Sequence, residues 1–207
     1  MSVNIKLIDM KPKKALEKLK PLLRAPSFTS REARLRGVSS ATLAYYVKQN
    51  ELKRIGHGVY RGARAPVAVD FRWEDLVEAM QRVRGGVICL TSALSLYHLT
   101  EEMPSQHWIA IRNETLHRAW PTTKVIRMRN LTLGKTTIKI GNIVLPIFDR
   151  ERTLVDAFRY LSQETALKAL KVALTKKGIE KINLEKIRRY AKTLRVKIQS
   201  FLIAMTI

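Results

Sequence analysis

Cysteine is almost absent from the sequence, which has 207 residues and a single thiol, Cys89. One cysteine cannot form an internal disulfide or a cluster of thiolate ligands around a metal. Because Cys89 lies in the apolar run VICL, we expect it to be a buried residue of a β-strand. The 4 histidines show no HxH or HxxxH spacing, so the sequence predicts no metal site.

Long apolar runs are also missing. No stretch of about 18 apolar residues occurs, which is the length that a membrane-spanning helix needs. The first residues, MSVNIKLIDMKPKK, lack the long apolar core of a secretory signal. We therefore expect a cytoplasmic protein that does not bind a membrane.

Acidic residues are scarce relative to basic ones. The chain holds 39 Lys and Arg against 17 Asp and Glu, a formal net charge of +22. The balance is 15 to 4 in residues 1–64, 13 to 10 in residues 65–160 and 11 to 3 in residues 161–207. The excess at the two ends predicts an anionic partner. A membrane-binding basic helix would also need a strong apolar face, so we favour nucleic acid for the N-terminal end.

Motifs for catalysis are missing as well. Neither a Gly-rich phosphate loop of the Walker type nor a Gly-x-Ser-x-Gly elbow occurs. Glu51-Leu52-Lys53 has the Glu-x-Lys spacing of metal-dependent nucleases, but no suitable aspartate precedes it. We therefore expect a protein without catalytic residues, cofactor or metal, with a divergent nuclease as the less favoured alternative.

The N-terminal part of the chain begins with the run ALEKLKPLLRA, residues 15–25, whose leucines have helical spacing. Pro21 inside this run predicts a bend or a restart of the helix, and Pro26 ends it. Thr29 and Glu32 then have the spacing of a capping box at the start of a second helix. In this second helix we expect Ala33 and Leu35 to face the core.

Gly37 follows as the residue of a tight turn, and Ser39 is the expected N-cap of a third helix. Leu43, Tyr46 and Val47 form an apolar stripe on that helix. This order of a short helix, a glycine turn and a capped second helix is the helix-turn-helix arrangement. After Asn50, the runs LKRI and VYRG read as two strands joined at Gly56-His57-Gly58. A helix-turn-helix followed by a basic hairpin predicts a winged helix.

The candidate DNA-binding residues are those that point away from the apolar stripe or lie on the hairpin. The N-terminal residues of a recognition helix lie nearest the base edges, and basic side chains around it contact phosphates, to which Arg34 could add. The helix start, with its free amides, also suits a phosphate oxygen. The predicted DNA-binding residues are Arg31, Ser39, Ser40, Ala41, Thr42, Tyr45, Lys48, Lys53, Arg54, His57, Arg61 and Arg64.

From residue 65 onward the composition is that of an ordinary mixed α/β domain, so we divide the chain into domains 1–64 and 65–207. Helices are expected at 70–83, at 91–99 with Thr91 or Ser92 as cap, and from Arg150 with Asp149 as cap. We expect His98 to be a hydrogen-bonded core residue. Strands are expected at 107–112, 124–129, 136–140 and 142–148, with a Gly141-Asn142 hairpin turn.

The last part of the chain, residues 161–207, is expected to form two or three helices that pack together or onto the middle domain. Their Lys-rich faces are either solvated surface or a second nucleic-acid contact, and the sequence favours neither. The predicted fold is therefore α+β: an N-terminal winged helix-turn-helix, a mixed α/β domain and a helical C-terminal segment.

The run FTSREARLRGVSSATLAYYVKQNELKRIGHGVYRG resembles the N-terminal winged helix of AbiEi-type antitoxins. The hairpin pattern of that family stands here as Leu52, Arg54, Gly56, Gly58 and Tyr60. TSALSLYHL resembles the Ser-Ala-Leu helix of the family. GNIVLPIFDRERTLVDAF resembles a further stretch of it, matching at Arg152, Thr153, Leu154 and Asp156. The resemblance covers residues 28–160 in the same order.

The resemblance implies a bacterial transcriptional repressor of its own toxin–antitoxin operon, which binds inverted repeats in double-stranded DNA of its own promoter. It also implies a type IV antitoxin that counteracts a nucleotidyltransferase toxin, with or without direct contact. A stand-alone winged-helix regulator whose C-terminal part binds another protein or an effector is the alternative. At i, i+4 spacing, Arg152 and Asp156 are expected to pair; contact with a toxin or an acidic ligand is the smaller alternative.

Overall fold

The computed structural model describes residues 12–64, 71–115 and 119–206 of the chain. It is a mixed α+β structure with two β-sheets. The chain divides into two compact units, which we call the N-terminal unit (Met1–Ala68) and the C-terminal unit (Val69–Ile207). Residues 65–70, where the sequence predicts the domain boundary, lie outside the described residues.

The N-terminal unit has helices on a small antiparallel sheet. A first helix and a two-residue strand precede the predicted pair of helices, and the predicted hairpin closes the unit. The strand order is β1-β3-β2, so the hairpin gains a third strand from β1, which the sequence did not predict. The elements are α1 (Pro12–Leu23), β1 (Phe28–Thr29), α2 (Ser30–Leu35), α3 (Ser40–Lys48), β2 (Leu52–Gly56) and β3 (Val59–Gly62).

The core of the N-terminal unit confirms most of the predicted apolar stripes. Leu19 of α1 and Leu43 of α3 are fully buried, and Tyr46 is nearly so. Phe28 of β1 stacks on Tyr60 of β3 with 6.0 Å between the ring centroids, which anchors the added strand. Each of these apolar groups is removed from water, and this burial is the main force that holds a small domain together.

One expectation for this unit is wrong, and one of two alternatives for Pro21 is excluded. The helix α1 continues through Pro21 to Leu23, so the predicted restart does not occur. Leu35 does not face the core: its side chain is 81% exposed. Residues two positions apart on a helix lie on opposite faces, so a helix that buries Ala33 points Leu35 into solvent. Val38, after the turn, lies in the core instead.

The C-terminal unit has a mixed sheet and several helices. Its strand order is β6-β5-β4-β8-β7, with β4–β8 and β5–β6 parallel and the other pairs antiparallel. All four strands predicted from 107 to 148 are confirmed, and so is the turn at Gly141. The elements are α4 (Phe71–Arg82), β4 (Val87–Ile88), α5 (Leu90–Leu96), β5 (His107–Ile111), β6 (Thr123–Arg127), β7 (Lys135–Ile140), β8 (Ile143–Phe148), α6 (Arg150–Tyr160), α7 (Gln163–Thr175), α8 (Leu184–Leu194) and α9 (Gln199–Thr206).

Three expectations around α5 need correction. Cys89 is buried as expected, but it is the N-cap of α5 rather than a strand residue, and its side chain makes no capping bond. Neither Thr91 nor Ser92 caps the helix, because both lie inside it, after its N-cap. The Ser92 hydroxyl instead accepts a hydrogen bond from the Trp108 amide at 2.8 Å. His98 is exposed, not a core residue, since the helix ends before it and its φ is +52°.

The C-terminal helices pack against one another and against α5 and α6, as expected. Leu154 of α6, Leu170 of α7, Ile187 of α8 and Leu202 of α9 belong to one buried cluster. The basic tail is therefore a structural part of the C-terminal unit, with its apolar stripes inward.

Polar contacts fasten the same tail to the start of α6. The Lys186 ammonium lies 3.1 Å from the Asp149 carboxylate and 3.2 Å from that of Glu151. The Asn183 amide donates to Glu151 at 3.0 Å, and the Tyr190 hydroxyl donates to Asp149 at 3.0 Å. Burial by itself raises the pKa of Glu151, but the bonds from Asn183 and Lys186 outweigh it and hold the pKa below its ordinary value.

The predicted pair of Arg152 and Asp156 forms in α6, and it is buried. The Arg152 Nε donates to the Asp156 carboxylate at 2.7 Å, and the two side chains are 2% and 0% exposed. The same guanidinium donates to the carbonyls of Leu133 at 2.8 Å and Asn130 at 3.2 Å. Burial raises the pKa of Asp156 to about 6, although Arg152 acts in the opposite direction.

We expect Arg152→Met to lower the free energy of unfolding at pH 8 by about 3 kcal/mol, because it leaves a buried carboxylate without its partner. Without Arg152, the pKa of Asp156 rises further. A folded-state pKa above the unfolded one means that proton uptake stabilises the folded state. The difference in the free energy of unfolding between the wild type and Arg152→Met should therefore become smaller as the pH falls towards 6. Urea unfolding at several pH values measures both effects.

The matched control is Lys168→Met, since Lys168 and Glu164 have the same i, i+4 spacing but side chains that are 70% and 75% exposed. We expect no measurable change in stability for this variant. If the two substitutions lowered the free energy of unfolding equally, burial would not be the reason that the Arg152–Asp156 pair contributes to stability.

Candidate nucleic-acid interface

The turn between α2 and α3 is fixed by backbone and side-chain hydrogen bonds. The predicted capping box is confirmed: the Glu32 amide donates to the Thr29 hydroxyl at 3.1 Å, and the Thr29 amide donates to the Glu32 carboxylate at 2.6 Å. Gly37 has φ +73°, a conformation that favours glycine, and the Val38 amide then donates to the Ala33 carbonyl at 3.0 Å. These bonds set where α3 begins.

The N-terminus of α3 is capped as predicted. The Ser39 hydroxyl accepts a hydrogen bond from the Thr42 amide at 3.1 Å and lies 2.9 Å from the Thr42 hydroxyl. The first turn of α3 contains no acidic residue. Because the first amides of a helix have few partners inside it, this end favours an anion.

The outward face of α3 consists of small and polar residues. Leu43 and Tyr46 hold the opposite face in the core. Tyr45 is 44% exposed, and its ring contacts the buried Tyr46 edge to face at 5.6 Å between centroids. Burial raises the pKa of Tyr46. The exposed residues of α3 are Ser40, Ala41, Ala44, Tyr45 and Lys48.

The hairpin β2–β3 presents basic side chains beside α3. Lys53 is directly opposite Arg61 in the register, and Arg54 is opposite Tyr60. The register shifts between Arg54 and Gly56, and the Arg54 Nε donates to the Gly56 carbonyl at 3.3 Å. This irregularity twists the end of the hairpin and fixes the direction of Arg54.

The turn of the hairpin is joined to the start of α2. The Ser30 amide donates to the Gly58 carbonyl at 2.8 Å. Gly58 has φ +65°, and a Cβ atom there would lie 3.0 Å from the Ser30 hydroxyl, so the position is suited to glycine. This hydrogen bond holds the turn of the hairpin against the start of α2.

None of the twelve predicted DNA-binding residues is buried. Arg64, just after the hairpin, lines a depression together with Lys20 and Leu23 of α1. Thr42 and Arg61 are half-buried and the others are exposed. Their contact with DNA stays a prediction. The exposed set is Arg31, Ser39, Ser40, Ala41, Tyr45, Lys48, Lys53, Arg54, His57 and Arg64.

A second group of basic residues, which the sequence did not indicate, lies in the C-terminal unit. Arginines from β6, from the loop after it, from α6 and from the end of α8 line one cavity of about 640 Å³. They are spread over a long stretch of sequence with no common motif, so only the fold brings them together. Within residues 12–64, 71–115 and 119–206, no group of three His, Cys, Asp or Glu residues could hold a metal ion. The helices of that same part of the chain include none that is long and apolar enough to cross a membrane.

A family model described as "Transcriptional regulator, AbiEi antitoxin" matches residues 17–61. The match covers α2, α3 and nearly all of the hairpin, together with most of α1. It agrees with the resemblance found in the sequence and indicates a transcriptional regulator that binds DNA. No curated protein matches the chain.

We expect Ser39→Ala to lower the free energy of unfolding of the N-terminal unit by about 1 kcal/mol, because it removes the N-cap of α3. Ser40→Ala is the control: Ser40 is exposed one position later and does not cap the helix. It should leave the stability unchanged. Urea unfolding followed by circular dichroism measures both, and equal stability of the two variants would contradict the capping role.

Proposed function

We propose that the N-terminal unit is a winged helix that binds double-stranded DNA, with α3 in the major groove and the hairpin β2–β3 against the backbone. The observation that carries the proposal is the outward face of α3. This face has small and polar residues at its start, a capped N-terminus and basic side chains beside it. A major groove admits an α-helix of this kind.

Base contacts are assigned to the first two turns of α3. Ser40, Ala41 and Thr42 are short enough to let the helix approach the base edges closely, and Tyr45 extends beyond them. The methyl groups of alanine and threonine suit the methyl group of thymine. The Thr42 hydroxyl is already close to Ser39, so we assign the methyl group of Thr42 to the apolar contact.

Phosphate contacts are assigned to the basic residues around α3. Lys48, Lys53, Arg54, Arg61 and Arg64 supply charge without sequence information. The amides at the start of α3 add a further site for a phosphate oxygen. The affinity should therefore depend strongly on salt, whereas sequence preference should depend on α3.

The finer proposal is that the protein represses its own operon through inverted repeats and is the antitoxin of a type IV system with a nucleotidyltransferase toxin. The description of the matching family and the resemblance of the α6 stretch support it. The C-terminal unit lies outside the family match, so the competing function is a stand-alone winged-helix regulator. A gene for a nucleotidyltransferase beside this one, and rescue of growth when both are expressed, would favour the antitoxin.

We also propose that the protein is not an enzyme. The competing function, a divergent nuclease, rests on Glu51 and Lys53, which are both exposed at the hairpin. Incubation of plasmid DNA with the protein and Mg²⁺ or Mn²⁺ tests it. Cleavage that is lost in Glu51→Gln would establish the nuclease.

We expect the combined substitution of Lys53, Arg54 and Arg61 by alanine to weaken binding to all DNA sequences. With three phosphate contacts removed, the slope of log K against log salt should become shallower by about 2–3. Gel-shift titration on the region upstream of the gene, at several salt concentrations, measures it. The control removes the same charge from the C-terminal unit, by alanine at the exposed Lys168, Lys171 and Lys177. An equal loss in this control would contradict the role of the hairpin and indicate attraction by net charge alone.

We expect Tyr45→Ala or Thr42→Ala to reduce the preference for the upstream repeats over unrelated DNA, because these side chains face the base edges. Lys48→Ala should instead weaken binding to both by a similar factor. Competition gel shifts with specific and unrelated duplexes measure the ratio. An unchanged ratio in both α3 variants would place sequence recognition elsewhere.

A further inference from the structure

The arginine-lined cavity of about 640 Å³ lies within the C-terminal unit and has no part in the proposed DNA contact. Its volume is within the range of small-molecule sites, about 300–1,000 Å³. No aspartate or glutamate is among its lining residues. The charged and aromatic side chains that line it are Arg127, Arg129, Arg152, Arg159, Arg195 and Tyr160.

Two of these arginines are held by the protein itself. Arg152 is bound to Asp156 and to two backbone carbonyls, as described above. Arg127 donates to the carbonyls of Arg112, Asn113 and Thr115 and fixes the loop after β5. They form a rigid part of the wall, so the cavity does not depend on a ligand for its shape.

The other three arginines have no carboxylate partner at ion-pair distance among the described residues, although the buried Asp156 attracts Arg159 from a greater distance. Arg129, Arg159 and Arg195 are exposed, and none of them forms an ion pair with a carboxylate of the described chain. They come from the loop after β6, the last turns of α6 and the residue after α8. Like charges that converge on one cavity repel each other, and a bound anion with several negative oxygens would relieve the repulsion.

The cavity also offers a flat surface beside its charges. The Arg159 guanidinium lies 5.1 Å from the centroid of the Tyr160 ring, in a cation–π arrangement. Aromatic rings and guanidinium planes are the groups on which nucleobases stack. A neighbouring depression of about 470 Å³ shares Asn113, Arg129 and Asn130 with the cavity. Glu114 also lines this depression, so it offers room for the uncharged part of a ligand rather than for its phosphates.

From this geometry we infer that the cavity binds a nucleoside triphosphate. The phosphates contact Arg129 and Arg195, since guanidinium forks match phosphate oxygens in pairs. The base stacks on the pair of Arg159 and Tyr160. The Asn130 Nδ2 donates at its edge, because the Asn130 Oδ1 already accepts from Thr132 and Leu133. This site goes beyond the proposed DNA-binding function and gives the C-terminal unit a ligand of its own.

The test is calorimetric titration of the full chain with ATP, GTP, CTP and UTP at constant ionic strength. We expect at least one of these nucleotides to bind with a stoichiometry of one per chain and to raise the Tm of the protein. Arg195→Glu should weaken binding by about tenfold or more, as loss of a charge-assisted bond predicts, and Arg159→Glu should weaken it through loss of the stacking surface. Tyr160→Leu should weaken nucleotide binding and leave the binding of tripolyphosphate unchanged.

Controls separate this site from general attraction by charge. Lys171→Glu makes the same charge reversal at an exposed position of α7 outside the cavity lining, and it should bind nucleotide as the wild type does. The triple alanine variant of Lys53, Arg54 and Arg61 should also bind nucleotide normally. Circular dichroism checks that each variant is folded, and Arg195→Ala serves as the milder substitution.

Three outcomes would overturn the inference. The first is equal weakening by Lys171→Glu and Arg195→Glu. The second is tripolyphosphate binding as tight as that of every nucleotide, which would leave no role for Tyr160. The third is a single-stranded oligonucleotide that binds the cavity arginines more tightly than any nucleotide, which would make a nucleic-acid chain the occupant.

Discussion

A formal net charge of +22 on one chain is the constraint to which the rest of the structure conforms. Removing an unpaired cation from water costs several kcal/mol, so nearly all basic side chains must stay at the surface or find a partner. The apolar cores of both units are therefore built from helix and sheet faces that exclude Lys and Arg. Among the residues that the structure describes, Arg152 is the exception, and it is paired with Asp156 and hydrogen-bonded to backbone carbonyls.

Carboxylates at the start of α6 neutralise part of the positive charge of the C-terminal tail, residues 161–207. Asp149 caps the helix and contacts Lys186 and Tyr190 of α8. Glu151 binds Lys186 and the Asn183 amide. With few carboxylates available, their placement on one central helix ties the tail to the unit, while the remaining cations stay on the surface.

The surplus charge is displayed in two different shapes. Around α3 it surrounds a helix with small, exposed residues at its start, the surface that we propose for duplex DNA. In the C-terminal unit it converges on a cavity, a concave surface that suits a compact anion. Positive charge does not distinguish the surface around α3 from the cavity, because both are rich in Lys or Arg. The difference lies in shape, and shape decides which anions can bring their oxygens within hydrogen-bond distance.

Much of the fold was predictable because its signals are local. The capping box at Thr29, the cap at Ser39, the stripe of Leu43 and Tyr46 and the Asp149 cap each depend on residues a few positions apart. For this reason the helices, most strands and the surface position of the candidate DNA-binding residues were predictable. The prediction for Leu35 was wrong because Leu35 is two positions from the buried Ala33, and a helix places such residues on opposite faces. The prediction for His98 was wrong because α5 ends before it. The strand β1 was missed because two residues carry no periodic signal.

The sequence by itself therefore determined the local elements, the basic character of both ends and the candidate recognition helix, since capping and apolar spacing act over a few residues. Only the tertiary structure decided that Arg152 and Asp156 are buried, that Lys186 neutralises part of α6, and that Arg129, Arg159 and Arg195 meet in one cavity. Burial and convergence of charge depend on residues that are distant along the chain, and packing alone brings these together.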